Sequence, residues 1–384
     1  MRILLLNWRD KTDRSYGGAE EFVGRLAEEL GKRCEVTLFT SKGSGSSHER
    51  NNNLEIVRRG SVNTVYFWAI VHMLKHRKRY DAVVESVSSV PFFSSLAFDR
   101  KRILLIVHHV MGVEVFRTAS PLKALAAYAA ERLIPSLYKG SIFLVNSNFV
   151  RKQLENLGVS GNSIRLIKGY FAPIARQQAQ KSRKPTIISV CRLVKYKRVD
   201  MLIKMFANLR RKVPNAEFVI VGEGPEKAKL ESLCSELGLG NSVRFTGFLA
   251  ESEKAAELSK AWVFVTASRI EGLGISVLEA ESCGLPAVAF ANGGLAEVVK
   301  DGYSGFLVNE GNENEFVEAL YSLIGNGGKQ RLARMSENAL KNFSSFEKGN
   351  AAKIILGLAR SHLSASALQT RKQRKAARGT RGAT

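Results

Sequence analysis

Short apolar runs, each closed by glycine or a polar pair and followed by a segment of helical spacing, recur along most of the chain. That alternation predicts an α/β protein built on parallel sheets. Arg2 to Leu6 reads as a first buried strand, and the polar stretch from Asn7 to Tyr16 leads to Gly17-Gly18-Ala19-Glu20 and an amphipathic helix through Leu30. Glu35 to Thr40 supplies a second strand, while residues 41–53, rich in Gly, Ser and Asn, read as a mobile loop. Thr64 to Leu74 is an apolar, aromatic helix closed by the basic run from Lys75 to Arg79. Strands follow at Tyr80 to Glu85, Ile103 to Val107 and Ile142 to Asn146; the last feeds a helix capped by Ser147 or Asn148. Between Pro173 and Pro185 the apolar period disappears, and the linker between two domains is placed at residues 176–184. Strands resume at Thr186 to Val190, Glu217 to Val221, Val243 to Gly247, Trp262 to Ala267, Ala287 to Phe290 and Gly305 to Val308. Helical patterns run from Asn312 to Asn342, and a further helix is expected over residues 346–363. The division is therefore 1–175, linker, 185–345, a closing helix, and a tail over 364–384.

Composition changes this picture in two places. A length of 384 residues favours two cores over one, and 45% hydrophobic with 24% charged residues is ordinary for a globular protein. The net charge of +23 is not ordinary. It attracts nucleotides, anionic lipid surfaces or nucleic acid, and composition does not choose among them. The tail carries six cations (Arg371, Lys372, Arg374, Lys375, Arg378 and Arg381) and no acid, so it is expected to lack fixed structure; without it the charge is still +17. The basic helix end after Leu74 fits either a buried helix with a solvated terminus or a surface helix resting on an anionic leaflet. It is too short to span a bilayer. Cys34, Cys191, Cys234 and Cys283 are scattered without C-x-x-C pairing, which indicates neither zinc nor a disulfide framework and fits a reducing compartment. The opening Met1 to Leu6 is too short for a signal peptide, so the expected location is cytoplasmic, extending to the inner face of the plasma membrane.

The chemistry concentrates in Glu271-Gly-Leu-Gly-Ile-Ser-Val-Leu-Glu279, which continues through Cys283-Gly-Leu-Pro286 to Gly293-Gly294 and Glu297. It reads as a strand, a glycine turn and a helix beginning near Ser276. Free N–H groups at a helix start carry about half a positive charge, which suits a phosphate or diphosphate. Gly272 and Gly274 let a ligand approach the main chain. Eight helical residues span ~12 Å, beyond the ~5–9.5 Å that paired glycosidase carboxylates need; Glu271 and Glu279 are therefore read as gripping opposite ends of one elongated ligand. Arg192 and Lys197 flank a short turn after a strand, so both can converge on one anion. Lys195 and Arg198 read as surface charges. His108-His109 ends another strand, at the position where open α/β sheets hold their ligands. Gly222 and Gly247 close two further strands.

The stretch from Ser268 to Pro286, with Gly-Gly-Leu-Ala-Glu297 and Asp-Gly-Tyr-Ser-Gly-Phe-Leu307, closely resembles the family-4 retaining glycosyltransferases. The resemblance implies two facing Rossmann-like domains with a deep cleft between them (the GT-B fold) and a nucleotide-sugar donor bound mainly by the second. It implies that Arg192 and Lys197 bind the donor diphosphate with the main chain of Gly272, Leu273, Gly274 and Ile275. Glu279 would then bind the ribose, Glu271 the transferred sugar, and Gly17-Gly18 would lie against donor phosphates and acceptor. By the same resemblance Gly222 and Gly247 lie near the nucleotide, His108 near the reactive carbon with His109 in reserve, and the closing helix crosses back onto the first domain. Lys168 and Tyr170 depart from the family pattern on the acceptor side. No Asp-x-Asp metal signature occurs, so no metal or other cofactor is expected beyond a UDP- or GDP-sugar substrate. Acceptors of such enzymes include glycans, small molecules and lipid-linked sugars; contact with an anionic membrane is compatible with the charge, and nucleic acid is not expected as a partner. The competing readings are an epimerase or hydrolase of the same fold, and a non-catalytic basic binding protein.

Overall fold

The computed structural model describes residues 1–13, 16–117, 119–167, 180–347 and 351–361. Its first unit is an eight-stranded sheet of order β3-β4-β2-β1-β5-β6-β7-β8. In chain order it comprises β1 (Arg2–Leu6), α1 (Gly18–Gly31), β2 (Glu35–Thr40), β3 (His48–Asn51), β4 (Leu54–Arg58), α2 (Val65–His76), β5 (Ala82–Val87), β6 (Ile103–Val107), α3 (Pro121–Leu137), β7 (Ile142–Val145), α4 (Asn148–Asn156) and β8 (Ile164–Leu166). All pairings are parallel except β3 with β4. Strands buried on both faces read as continuous apolar runs, and β1 shows why. Its residues alternate between two cores: Leu4 and Leu6 pack with Ala69 and Met73 of α2 and Val150 of α4. Ile3 and Leu5 pack with Phe22, Val23 and Leu26 of α1. α2 is thus the buried alternative of the two considered for it, with Val65, Ala69 and Met73 turned inward.

The second unit is a six-stranded, all-parallel sheet of order β11-β10-β9-β12-β13-β14. It comprises β9 (Thr186–Val190), α5 (Val199–Lys212), β10 (Glu217–Val221), α6 (Lys227–Glu236), β11 (Val243–Gly247), α7 (Glu251–Lys260), β12 (Val263–Thr266), α8 (Ile275–Ser282), β13 (Ala287–Phe290), α9 (Leu295–Val298), β14 (Gly305–Val308), α10 (Glu313–Ile324) and α11 (Lys329–Glu347). Again the strand alternates between cores, Ile187 of β9 facing α5 and α10 while Ile188 faces α8. Residues 351–361 are helical, and Ala352, Ile355, Leu356 and Ala359 are buried with Ile3 and Leu5 of the first unit.

Four expectations need correction. Residues 41–53 are not merely loop: β3 lies within them, an edge strand exposed at every position, so it has no apolar period to read. Ser182 of the expected linker is already bonded to the second unit, its amide donating to the Lys260 carbonyl and its carbonyl accepting from the Trp262 indole at 2.9 Å. Residues 346–347 belong to α11, whose Phe346 packs on the second unit's core. Arg198 is no surface charge, since its guanidinium donates to the Ala267 carbonyl at 2.6 Å and pairs with Glu310. Lys168, Tyr170, residues 176–179 of the linker and the basic tail lie outside the described residues.

Candidate functional site

Strand order reverses beside β1 in the first sheet and beside β9 in the second, the two places where open α/β sheets leave a crevice at their carboxyl ends. The loops from those ends meet. Gly272 rests on the main chain of the β6 end, where a Cβ would stand 1.9 Å from the His108 carbonyl oxygen, so no larger residue fits. The Ser147 hydroxyl, after β7, donates to the Gly272 carbonyl. The first residues of α1 and α8 touch, Gly18 lying under the Ile275 side chain. Two helix N-termini from different domains thus border one space, and each supplies N–H groups without an intrahelical acceptor.

The turn before α8 is shaped for this. Gly274 is its N-cap at φ 96°, in the left-handed region that glycine adopts at no steric cost. Gly294 donates its amide to the Glu271 carbonyl at 2.8 Å, which explains why the Gly-Gly turn belongs with the distant Glu271. Leu273 turns its side chain into the core with Val277 and Leu295, leaving only main chain for a ligand. Gly222 and Gly247 are bridged to each other, the Gly222 amide donating to the Gly247 carbonyl at 2.9 Å, beyond the ends of β10 and at the end of β11.

The charges distribute differently from expectation. Lys197 is paired with Glu271, both mostly buried. Burial opposes the charged ammonium, yet the Glu271 carboxylate outweighs it and raises the Lys197 pKa. Lys254 of α7 holds Glu279 at 2.8 Å. Each motif glutamate therefore has its own lysine, and the two carboxylates do not form a pair. Arg192 is half-buried, and among the described residues no carboxylate pairs with it. Arg9, following β1, is buried, stacked 3.6 Å over the Trp8 ring and 3.3 Å from Glu20. Burial lowers the Arg9 pKa and the Arg192 guanidinium of the other domain lowers it further, against the opposite pull of Glu20 and Asp13. Two guanidiniums facing one another across the domains make a place that an anion stabilises.

Of the two histidines, the structure turns His108 away from this space. Its ring is buried, 3.0 Å from the Ser86 hydroxyl and edge-on to Phe22 at 5.3 Å, and burial lowers its pKa to about 3. His109 is only partly buried and feels both Glu271 and Lys197. Burial lowers it to about 4, with Glu271 pulling upward and Lys197 downward, so the ring beside the motif is neutral near pH 7. The expectation for His108 thus passes to His109: at a strand end the side that a residue faces follows the pleat, and one position reverses it.

Sequence reasoning gave no site role to Glu297, Lys254 or Arg9, and only a capping role to Ser147. Glu297 accepts from the amides of Asn148 and Phe149 at 2.9 and 2.7 Å and from the Asn148 side chain at 3.1 Å, so a residue of α9 caps α4 across the domains. Ser147 caps α4 as expected, and it also reaches Gly272. Lys254 and Arg9 stand far in sequence from the groups they face, and nothing in their local pattern marks them.

Comparison with known proteins agrees with this fold. Residues 16–169 match the family model described as Glycosyltransferase Family 4, and residues 172–342 the one described as Glycosyl transferases group 1. A GDP-mannose-dependent alpha-(1-6)-phosphatidylinositol monomannoside mannosyltransferase of Mycolicibacterium smegmatis is 38% identical over 148 residues, 37% of this chain and 39% of that protein. The matched stretch thus spans about two fifths of that relative. Among solved structures, sucrose-phosphate synthase from Thermosynechococcus elongatus superimposes with a TM-score of 0.78 at 20% identity over 95% of this chain and 99% of its own. Anabaena HepE, crystallised with UDP and glucose, gives 0.68 at 19% identity over 96% and 100%. At these identities the structures establish the fold, two Rossmann-like domains facing each other.

Proposed function

We propose, on the premise that the chain belongs to the family-4 glycosyltransferases of the GT-B fold, that it moves a sugar from a UDP- or GDP-sugar to an acceptor hydroxyl, with retention of anomeric configuration and without a metal ion. The observation that carries the reading is the convergence, at two touching helix starts, of Arg192 and Arg9 with the Lys197–Glu271 pair and His109. In the transfer, the bond from C1 of the sugar to the diphosphate oxygen breaks while negative charge grows on that diphosphate. Fixed positive potential there lowers the barrier most effectively. Arg192, Arg9 and the amides at the start of α8 supply it, and Lys197 contributes while orienting Glu271 toward sugar hydroxyls. Glu279, steadied by Lys254, accepts from the ribose. A front-face course fits a site whose two motif carboxylates are each held by a lysine for hydroxyl recognition: the acceptor oxygen bonds to C1 on the side the phosphate leaves, and the acceptor's proton passes to the leaving phosphate oxygen.

The UDP held by the Anabaena structure and the GDP-mannose named for the mycobacterial relative support a nucleotide-sugar donor. The phosphatidylinositol monomannoside named for that relative supports a lipid-linked acceptor. No helix among the described residues is long and apolar enough to cross one. Thermal stabilisation by UDP-glucose, UDP-N-acetylglucosamine and GDP-mannose identifies the donor class, because a ligand that binds only the folded chain raises its stability. With a stabilising donor in hand, Lys197→Ala lowers transfer by about 10²–10³. Transfer at the wild-type rate in that variant refutes the site. Sugar released equally with and without acceptor assigns the chain to hydrolysis instead.

A further inference from the structure

We infer that the outward face of α3, with the 3-10 turn Gly112–Arg117 before it, is a docking surface for an anionic lipid leaflet and brings a lipid-borne acceptor to the sugar end of the cleft. The part concerning the acceptor rests on the transferase reading; the surface does not.

The observation is an inversion of the usual helix pattern. At about 100° per residue, Leu122, Leu125, Ala126, Ala129, Leu133 and Ser136 fall within one ~120° arc of α3. All of them are exposed. The buried Ala124, Ala130, Glu131 and Ile134 lie opposite. A helix packed on a core by one side ordinarily turns a charged side outward; here Leu122 is 79% exposed, Leu125 57% and Leu133 50%, and the adjoining turn adds Val113 at 67% and Phe116 at 46%. From Leu122 to Leu133 the stripe runs ~17 Å. Contiguous exposed apolar surface of this kind marks a binding face.

Charge selects the occupant. The exposed ions bordering the stripe are Arg117, Lys123, Arg132 and Lys139. The acids of the segment are turned elsewhere: Glu131 is buried and accepts the Met111 and Gly112 amides at 2.8 Å, while Glu114 lies between Arg117 at 2.8 Å and Arg269 at 3.3 Å. An apolar stripe edged only by cations matches an anionic leaflet, in which leucines enter the acyl boundary and lysine and arginine reach the headgroups. A second copy of the chain would bring like charges together. α2, basic at its end, offers only Phe67 and Leu74 as large exposed apolar side chains and commits the rest of that face to the core.

Position links the surface to the site. Ile270 packs on Met111, Val115 and Ala124, and Arg269 pairs with Glu114, so the segment that holds Glu271 lies against the underside of the docking face. A sugar carried on a lipid headgroup would enter beside the group that binds the transferred sugar.

The test is co-sedimentation of the full chain with vesicles of phosphatidylcholine, alone and with about 30% phosphatidylglycerol. Binding is expected only to the anionic vesicles. Leu122→Glu with Leu125→Glu lowers it at least about tenfold, and Lys123→Gln or Arg132→Gln lowers it about fivefold each. Phe67→Asn with Leu74→Asn leaves it unchanged. Thermal melts check that each variant folds. No binding by the wild type, equal binding to neutral vesicles, wild-type binding by the leucine variant, or loss in the α2 variant overturns the surface. A dimer dispersed by the leucine substitutions, without vesicle binding, overturns it in favour of a second copy. Stabilisation by a UDP- or GDP-sugar is read separately: anionic vesicle binding through these leucines in a chain that binds no nucleotide sugar supports the surface and overturns the transferase reading alone.

Discussion

Glu297→Ala is expected to loosen the junction between the domains without unfolding either. The Glu297 carboxylate, half-buried in α9, accepts two main-chain amides and one side-chain amide at the first turn of α4, with the shortest bond 2.7 Å. A carboxylate at a helix N-terminus contributes ~0.3–1 kcal/mol when exposed and up to ~2 kcal/mol in partly buried geometry. The exposed cross-domain pairs Arg25–Glu251 and Arg269–Glu114 each contribute only ~0–1 kcal/mol. With bonds this short from a partly buried group, ~1.5–2 kcal/mol is the reasonable figure, equivalent to an opening constant raised about 10- to 30-fold. Amide hydrogen exchange measures it at the bonded atoms: in peptides covering residues 146–152, exchange through local opening accelerates by that factor. Glu297→Gln, which keeps an acceptor and loses the charge, falls between. Exchange of those amides at the wild-type rate in Glu297→Ala, with the variant folded, would refute the argument that this group latches the cleft.

His109→Ala is expected to fold like the wild type and to lose transfer, whereas His108→Ala, which empties a buried site against Ser86 and Phe22, costs ~2–4 kcal/mol in chemical denaturation; the reverse pattern would restore the assignment to His108. Burial raises the Glu281 carboxyl to about 8, against hydrogen bonds from Ser304 and Asn342. Because the folded form holds its proton more tightly than the unfolded chain, this contribution is complete below the ordinary glutamate range and is lost as pH rises toward 8. Stability measured by urea unfolding should therefore fall by about 1.4 kcal/mol per pH unit between roughly 4.5 and 8 from this group. Glu281→Gln should flatten that slope, and an unchanged slope would show that the buried carboxyl is not its source.

The parallel sheets were legible because strands covered on both faces read as apolar runs, as Ile3–Leu6 and Val263–Val265 do. The turn at Glu271–Gly274 was legible because close main-chain packing and a left-handed cap leave glycine as the residue that fits. What stayed hidden is what depends on the distant chain. β3 is a polar edge strand fixed by β4 rather than by its own pattern. α3 drew no assignment because three of its four leucines are exposed and alanines occur on both of its sides, so no buried apolar stripe stands out. The choice between His108 and His109 turns on the pleat, and Lys254 becomes informative only when α7 is set beside α8.

Those lysines also bear on how the site receives its ligand. If Lys197 and Lys254 were free, the positive charge facing a diphosphate would be spread from the sugar end of the site to the ribose end. Instead each is neutralised by the glutamate that the motif assigns to hydroxyl recognition. Among the described residues, the uncompensated charge left in the space is that of Arg192, near Arg9, together with the partial charges of two helix starts. On the proposed reading a diphosphate would be drawn to one place, and neutral hydroxyls on either side of it could donate to carboxylates already held in position. Arg192 lies close enough to Arg9 to repel it, a repulsion that a bound anion would relieve, so an anionic donor is expected to tighten the junction of the two domains.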